Sequence, residues 1–432
     1  MDTQDKKGGN IAAIATMFAL FFMIAFVTNF ASPMGVIAKN QFQASNALSQ
    51  LGNAANFFAY LFMGIPGGLI LRRKGYKFTA LAAVAVGFAG VGIQLASGYL
   101  GSFGVYVAGA FVAGFSMCML NLVVNPMLNT LGGEGKKGNQ LVQFGCSLNS
   151  VGATLSPAVL GWLIGEITKD TNFIKAAPAL MIAMGIFALA FLIVAFSRIP
   201  EPHMETAEEK SARLAGKASV LADIKATLGF RHFTFGALAI FFYIVIEVGV
   251  PSMGMLYMTD CVKDAAGEIV SKGPGYVGGA VAGVVCASYW FLMMCGRLLG
   301  GIVGGRFSSR QQATFLASCG ILLLLATMFA PVKMITLFGY SFPLSMAFMA
   351  AVGLCTSVMW GGIFNMAAEG LGKYVPMGSG IFMCMVFGGV LIPAQGMIAD
   401  KFGILNAYWL SIALLAYVLV YALVLSKPAK RS

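Results

Sequence analysis

The sequence has few charged residues: Asp, Glu, Lys and Arg make up 10% of its 432 residues, whereas soluble domains carry about 25%. It has only two histidines, and its eight cysteines form no Cys-x-x-Cys pair. The low charge excludes an ordinary soluble domain. The missing His and Cys patterns leave no typical metal site or His-based catalytic set. We therefore expect no metal, no cofactor and no enzymatic activity.

Long apolar runs occupy most of the chain instead, with 59% hydrophobic residues and a mean hydropathy of +0.83. A membrane helix needs about 20 apolar residues, and these runs are too long for barrel strands. The sequence predicts an all-α membrane protein with twelve spans. They lie near 11–33, 46–71, 78–98, 103–128, 140–165, 176–197, 232–257, 275–305, 311–331, 336–366, 376–400 and 404–426.

A polar stretch at 198–231 divides these spans into two groups of six. The predicted organisation is a tail at 1–10, a helical bundle at 11–197, the linker at 198–231, a second bundle at 232–426 and a tail at 427–432. A basic turn also occurs twice, as GGLILRRKGYK at 67–77 and in looser form as GGIVGGRFSSR at 300–310. Two similar halves of this kind are typical of a secondary transporter.

The Lys and Arg residues are concentrated in the tails, the linker and alternate loops, which predicts the orientation. Basic loops stay on the cytoplasmic side, so both termini are expected there, in a multi-pass protein of the cell (inner) membrane. No cleavable signal peptide is predicted, because the polar start runs directly into the first span. The net charge of +12 follows from the same asymmetry and requires no nucleic-acid partner. The lipid bilayer is the expected surrounding.

Six spans, a cytoplasmic linker, six spans and two basic turns resemble the major facilitator superfamily. Its usual turn is Gly-x-Leu-x-Asp-Arg-x-Gly-Arg-Lys, but this chain has Arg72 at the acidic position and Tyr76 at the first basic position after the glycine. Because this acid is missing, the family's usual charge pairing of the turn cannot be transferred to this chain, although the predicted fold is unaffected. The resemblance assigns a conformational role to the turn residues Gly68, Arg73, Gly75, Lys77, Arg306 and Arg310.

Further strings resemble the fucose–galactose–glucose:proton symporter family. They are NFFAYLFMGIPGG at 56–68, NP at 125–126, NTLG at 129–132, NSVGATLSP at 149–157, GRLLG at 296–300, IFN at 363–365, GLG at 370–372 and GSG at 378–380. The resemblance implies uptake of a hexose or related monosaccharide, a proton as the coupling cation, alternating access between two rocking halves, and a monomer.

A sugar site inside the membrane needs amide or guanidinium groups for hydroxyls and an aromatic ring for the apolar sugar face. The candidate substrate-binding residues are Asn29, Asn56, Asn121, Asn125, Asn149, Arg297, Trp360 and Asn365. Each also has a structural alternative. The asparagines can join helices, Asn125 can cap a break at Pro126, Trp360 can be a packing residue, and Arg297 can extend to the cytoplasmic surface.

Glu247 is the only carboxylate deep in a predicted span. Such a group can bind and release a proton as access alternates, so Glu247 is the candidate for proton coupling. The alternative is a structural acid paired with Arg297 on the next helix.

The sequence departs from the symporter family at two acidic positions, which by alignment are Ser32 and Asn121 here. The family's proton-handling roles therefore cannot be transferred to this chain, and sodium coupling or uncoupled uniport stays open. A facilitator for an organic anion or acidic sugar is a further alternative, since Arg297 suits a monoanion. A non-transporting sensor is a further class of function, but such a protein would be expected to carry an added soluble domain.

Overall fold

The computed structural model describes residues 3–28, 34, 37, 41–42, 51–133, 135–164, 173–214, 219–263 and 269–428. Long helices form the first half of the chain. They are α1 Thr3–Thr28, α2 Leu51–Leu100, α3 Phe103–Leu131, α4 Gly135–Ile164 and α5 Ala177–Phe196. Two short helices follow within the linker, α6 Ala207–Leu214 and α7 Val220–Leu228. Because α1 begins at Thr3, most of the predicted N-terminal tail is helical.

The second half contains shorter helices and two hairpins. Its α-helices are α8 Arg231–Thr259, α9 Gly279–Gly304, α10 Ser309–Phe329, α11 Leu344–Thr356, α12 Met359–Ala368, α13 Val375–Cys384, α14 Ile392–Phe402 and α15 Tyr408–Val420. Short 3₁₀ segments lie at Gly372–Tyr374, Met385–Leu391 and Ile404–Ala407, and a π-helical turn at Tyr421–Leu425. The antiparallel hairpins are β1 Cys261–Lys263 with β2 Ile269–Lys272, and β3 Met334–Leu337 with β4 Tyr340–Pro343.

Within the described residues, nine helices are long and apolar enough to cross a bilayer. One of them, Ala54–Leu100, has 47 residues, about twice the length that one crossing needs. It is interrupted at Gly75, whose φ of 86° and ψ of 175° are not helical, so it supplies two spans. The apolar part of α1, Ile11–Val27, and the 30-residue α4 complete the predicted set of twelve.

Two span boundaries differ from the prediction. The span predicted at 336–366 begins only at Leu344, because β3 and β4 form a hairpin there with Leu337 opposite Tyr340. Its two turn residues, Phe338 and Gly339, have φ of 51° and 82°, as a tight two-residue hairpin turn requires. The span predicted at 275–305 starts at Gly279, since Gly278 before it has φ 86°.

Buried apolar side chains form two clusters that correspond to the two parts of the chain. One joins residues between Met17 and Ile199, and the other joins residues between Phe233 and Ala422. The second cluster also includes Cys118 and Leu122 of α3. Close packing of these side chains stabilises each bundle, because lipid tails are equally apolar and give no hydrophobic driving force, and the same packing joins the two bundles at α3.

The end of the bundle that carries α6, α7 and the turn at Gly75 is called the linker side below. Towards this side α2 lies against α13 so closely that a Cβ atom on Gly68 would be 2.5 Å from the carbonyl oxygen of Pro376. The two halves also meet where α4 lies against the segment after α11, and there the Gln143 side chain donates from Nε2 to the Val358 carbonyl at 2.9 Å. The two halves are therefore in direct contact on the linker side.

Candidate functional site

An ion pair inside the second half forms the centre of the candidate site. Glu247 of α8 accepts from Arg297 Nη2 of α9 at 3.0 Å, and the same carboxylate oxygen accepts from the Tyr243 hydroxyl at 2.9 Å. The two charged side chains are only 11% and 14% exposed. In a buried pair, the attraction between the opposite charges offsets part of the desolvation cost that each charge incurs. The site therefore holds two charges with no net charge between them.

The local sequence of α8 explains the hydrogen bond to the backbone of Glu247. Pro251 lies four residues later and has no N–H, so the Glu247 carbonyl lacks its usual helical donor. The Tyr289 hydroxyl donates to this carbonyl at 3.2 Å and lies 3.1 Å from the Thr356 hydroxyl. Residues from α8, α9 and α11 thereby hold the position of Glu247.

Arg297 also connects the two halves of the protein. Its Nη1 donates to the Ser150 hydroxyl of α4 at 2.6 Å, and its Nε donates to the Ser357 carbonyl at 3.4 Å. The side chain is thus directed towards Glu247 and the first half, and it does not extend to the surface. Of the two alternatives for this arginine, the structure has the one with an acidic partner.

A row of amide and aromatic groups crosses the same region. The Asn121 Nδ2 donates to the Tyr60 hydroxyl at 3.1 Å, and the Asn125 Nδ2 donates to the Asn121 Oδ1 at 3.3 Å. The Trp360 Nε1 of α12 then donates to the Asn125 Oδ1 at 3.3 Å. The row therefore runs from α2 through α3 of the first half to α12 of the second half.

The Trp360 ring joins this row to the ion pair, because its centroid is 6.5 Å from that of Tyr243. The whole set is called the polar centre below. It consists of Tyr60, Asn121, Asn125, Ser150, Tyr243, Glu247, Arg297 and Trp360. Its side chains offer amides, hydroxyls, an indole and one charge pair, which together can bind a hydroxylated molecule of no net charge.

The remaining predicted candidates lie elsewhere or are not described. Asn149 donates from Nδ2 to the Phe21 carbonyl of α1 at 3.1 Å, which is a helix-to-helix contact. Asn56 is buried, with no partner for its Oδ1 within the described residues. Asn365 donates to the Asn139 Oδ1 at 2.7 Å on the linker side. Asn29 lies outside the described residues, as does the alignment position Ser32.

Three members of the polar centre were not candidates from the sequence: Tyr60, Ser150 and Tyr243. No signal marked Ser150, because serine is a common residue in helices. Tyr243 had a signal, since it lies four residues before Glu247 and so shares its face of the helix. Tyr60 is inside the 56–68 string that carries the family resemblance.

The turn at Gly75 is held by residues of the linker. Glu201 accepts the backbone N–H of Tyr76 and, at 2.9 Å, that of Lys77. Burial raises the pKa of the Glu201 carboxyl, although these N–H groups act in the opposite direction. Burial lowers the pKa of His203, whose Nδ1 lies 2.7 Å from the Tyr76 hydroxyl. Gly75 itself needs a positive φ that other residues rarely adopt.

The acid missing from the turn is replaced by acids in the linker. Arg72 forms an ion pair with Asp223 of α7, and a longer one of 3.6 Å with Glu209 of α6. Glu209 in turn lies 3.9 Å from Lys373 of the second half. Arg73 is exposed. The turn therefore forms charge pairs through Arg72, and the acidic partners lie in the linker.

In the second basic turn, Arg310 pairs with Glu369 and donates to the Ser426 hydroxyl at 3.0 Å. The Arg306 carbonyl accepts from Lys136 Nζ of the first half at 2.8 Å. This turn therefore joins the two halves through its backbone and joins α10 to the end of the last span through its arginine.

Comparisons with known proteins agree with this architecture. The family model of the Major Facilitator Superfamily matches residues 15–338. The chain is 27% identical over 431 residues to a Brucella abortus protein named glucose/galactose transporter, covering 99% of this chain and 97% of that protein. It is 23% identical over 426 residues to the Escherichia coli L-fucose-proton symporter, covering 92% and 90%.

The fold is similar to that of a crystal structure of the Escherichia coli fucose:proton symporter. The TM-score is 0.80 at 18% sequence identity, and the match covers 96% of this chain and 98% of the other. At this identity the likeness concerns the fold alone. It includes both bundles, and therefore the frame on which the polar centre is built.

Proposed function

The chain belongs to the major facilitator superfamily, and we propose that it imports a neutral monosaccharide, a hexose or a related sugar, by cation-coupled alternating access. The halves 11–197 and 232–426 rock about the polar centre in this proposal. The linker and both termini lie on the cytoplasmic side of the cell membrane. The names of the relatives support a sugar as the substrate, since one is called a glucose/galactose transporter and another an L-fucose-proton symporter.

The observation that carries the proposal is the neutrality of the polar centre. Arg297, which alone would suit an anionic substrate, is already paired with Glu247 at 3.0 Å. An acidic sugar would have to displace that carboxylate and leave it buried without a partner, which is costly. A neutral sugar needs no such exchange. It can use the amides of Asn121 and Asn125 for its hydroxyls and the Trp360 ring for its apolar face.

We assign the coupling proton to Glu247. Proton binding would remove the negative charge opposite Arg297, and the guanidinium would then need other partners. Because Arg297 also donates to Ser150 of the other half at 2.6 Å, a change at Glu247 would reach the contact between the halves. This gives proton binding a route to the conformational equilibrium, which coupling requires.

The same ion pair also supports a second candidate, an uncoupled sugar uniporter. If the pair never separates, Glu247 is a structural acid and no proton is carried. A sodium ion bound near Glu247 would be a third possibility for coupling. The experiment below distinguishes all three.

The test is uptake of labelled hexose into proteoliposomes that carry wild-type protein or Glu247→Gln, first with a pH gradient and then with a sodium gradient. We expect the pH gradient to drive accumulation in the wild type. The Glu247→Gln variant should still exchange hexose across the membrane without accumulating it. Asp400→Asn removes an exposed acid at the end of a span and should behave as wild type.

Other results would reject parts of the proposal. Accumulation driven only by sodium would replace the proton by sodium, and equilibration under both gradients would identify a uniporter. Substrate class is tested by competition, because unlabelled glucose should block uptake and glucuronate should not. Block by glucuronate alone would reject the neutral-sugar site.

A further inference from the structure

The hairpin of β3 and β4 lies at the end of the second half that is opposite the linker side. It joins α10, which ends at Phe329, to α11, which begins at Leu344. Arg310 at the start of α10 pairs with Glu369, which follows α12 on the linker side. The 21 residues of α10 rise by about 30 Å, which is the thickness of the hydrocarbon core. The hairpin therefore begins where α10 leaves the membrane.

The two faces of this hairpin differ in their chemistry. The cross-strand pairs place Thr336 opposite Ser341 on one face and Leu337 opposite Tyr340 on the other. Phe342 lies on the same face as Tyr340, because side chains alternate along a strand. Phe342 is buried in the core of the second half, whereas Leu337 and Tyr340, nearer the tip, are exposed. The apolar face of the hairpin therefore continues beyond the protein core.

The residue at the tip of the hairpin is unfavourable for its turn. Phe338 and Gly339 have φ of 51° and 82°, a conformation in which Asn-Gly or Asp-Gly is preferred. A bulky aromatic residue at positive φ is strained. The Phe338 side chain is also 91% exposed, so packing against the described residues contributes little. Neither the turn nor the core explains an aromatic residue here, which indicates a contact outside the protein.

The surroundings of the hairpin are those of a membrane interface. Phe329 and Trp409, at the ends of two spans, are both exposed, and their rings lie edge to face with centroids 6.4 Å apart. Val332 and Lys333, which lead into β3, are exposed as well. Aromatic rings are enriched at the level of the lipid headgroups, and a Lys side chain can extend to the phosphates there. An exposed apolar surface therefore continues from the spans to the hairpin.

We propose that the tip of this hairpin inserts into the membrane leaflet opposite the linker side. Leu337, Phe338 and Tyr340 enter the boundary between the headgroups and the acyl chains, and Thr336 and Ser341 on the polar face stay in water. Phospholipid thus covers the apolar face. Transfer of the Phe338 ring from water to this boundary offsets the strain of the turn. The insertion holds the connection between α10 and α11 at the membrane surface.

Insertion is measured by tryptophan fluorescence of the full-length protein in phosphatidylcholine nanodiscs, where both sides are accessible. Phe338→Trp adds a tryptophan at the tip, and Ser341→Trp adds one on the polar face as a matched control. The signal of the unmodified protein, which has four tryptophans, is subtracted. We expect lipid brominated near the headgroup end of its chains to quench the tip tryptophan roughly threefold more strongly than the control. Iodide in the water should show the opposite order.

A second set of variants tests whether Phe338 holds the tip in the lipid. Tyr340→Trp places the fluorescent reporter on the apolar face. Phe338→Asn removes the ring but keeps a residue that tolerates positive φ. When it is combined with Tyr340→Trp, iodide quenching of the reporter should rise roughly twofold, because the tip leaves the lipid. Thr336→Asn, on the polar face, should leave the quenching of the reporter unchanged.

Three results would overturn the proposal. If iodide quenches the tip tryptophan as strongly as the control, the tip lies in water. If neither iodide nor brominated lipid quenches the tip tryptophan, protein covers the tip, either the first half of the same chain or a second copy. An unchanged reporter after Phe338→Asn would mean that this ring does not anchor the hairpin.

Discussion

Neutralising Arg297 alone should destabilise the protein more than neutralising Arg297 and Glu247 together. The single variant Arg297→Gln leaves a buried carboxylate whose remaining described side-chain donor is the Tyr243 hydroxyl. The single variant Glu247→Gln leaves a buried guanidinium. In the double variant no charge is buried, and two amides can hydrogen-bond in place of the ion pair.

The magnitude follows from the geometry of the pair. Two unit charges about 4 Å apart interact by about 4 kcal/mol at an effective dielectric constant of 20. The side chains are 11% and 14% exposed, so screening by solvent is small. Loss of one partner from a buried pair costs about 3–5 kcal/mol. We expect about 3 kcal/mol for each single variant, about 1–2 kcal/mol for the double variant, and therefore a large interaction energy between the two positions.

The assay is reversible unfolding of the four proteins in mixed micelles, from which the free energies of unfolding give a double-mutant cycle. Tyr243→Phe serves as a control for the loss of one neutral hydrogen bond and should cost about 1 kcal/mol. Single-variant effects that add to the double-variant effect within about 0.5 kcal/mol would refute the reasoning. Glu247 would then carry no charge opposite Arg297, and the argument for a neutral substrate would fail with it.

Three further predictions concern other parts of the molecule. Trp360→Phe keeps an aromatic ring but removes the N–H that donates to Asn125. Loss of about 1 kcal/mol should lower the hexose affinity about fivefold in equilibrium binding. Unchanged affinity would place the sugar elsewhere. Gly68→Val inserts a side chain against the backbone of α13 and should abolish transport in the uptake assay. The control Gly185→Val should transport normally, because nothing lies within 4 Å of a Cβ atom at that position. Transport by Gly68→Val would mean that the close contact between α2 and α13 is not needed. Burial lowers the pKa of His203, so the folded state binds a proton at this residue less readily than the unfolded state does. Stability is therefore lost as the pH falls through the usual histidine pKa of about 6.5. The melting temperature of His203→Gln should lack this part of the pH dependence, and a profile identical to that of the wild type would contradict the prediction.

The helical spans could be predicted from the sequence because hydropathy over about 20 residues acts independently of tertiary contacts. The hairpin at 334–343 could not, since its apolar residues do not differ from those of a span. Its turn depends on the backbone angles of Phe338 and Gly339. Span predictions were therefore reliable in their number and less so in their start points.

The polar centre was predictable where one residue type is costly in a membrane. Glu247 and Arg297 stand out for that reason, and a pair between these two residues is one of the alternatives that the sequence offers. Asparagines gave a weaker signal, because an amide is equally suited to a ligand and to a neighbouring helix. Asn125 lies in the polar centre, whereas Asn365 lies on the linker side. Only the packing of the helices separates such cases.

The turn at Gly75 gives the linker a role beyond joining two bundles. Glu201 caps the helix that follows this turn, and Asp223 neutralises Arg72. If the two bundles were produced as separate polypeptides without residues 198–231, the turn would lose both acids. Co-expressed halves would therefore need the linker attached to one of them, and a Gly-Ser tether of equal length could not substitute for it.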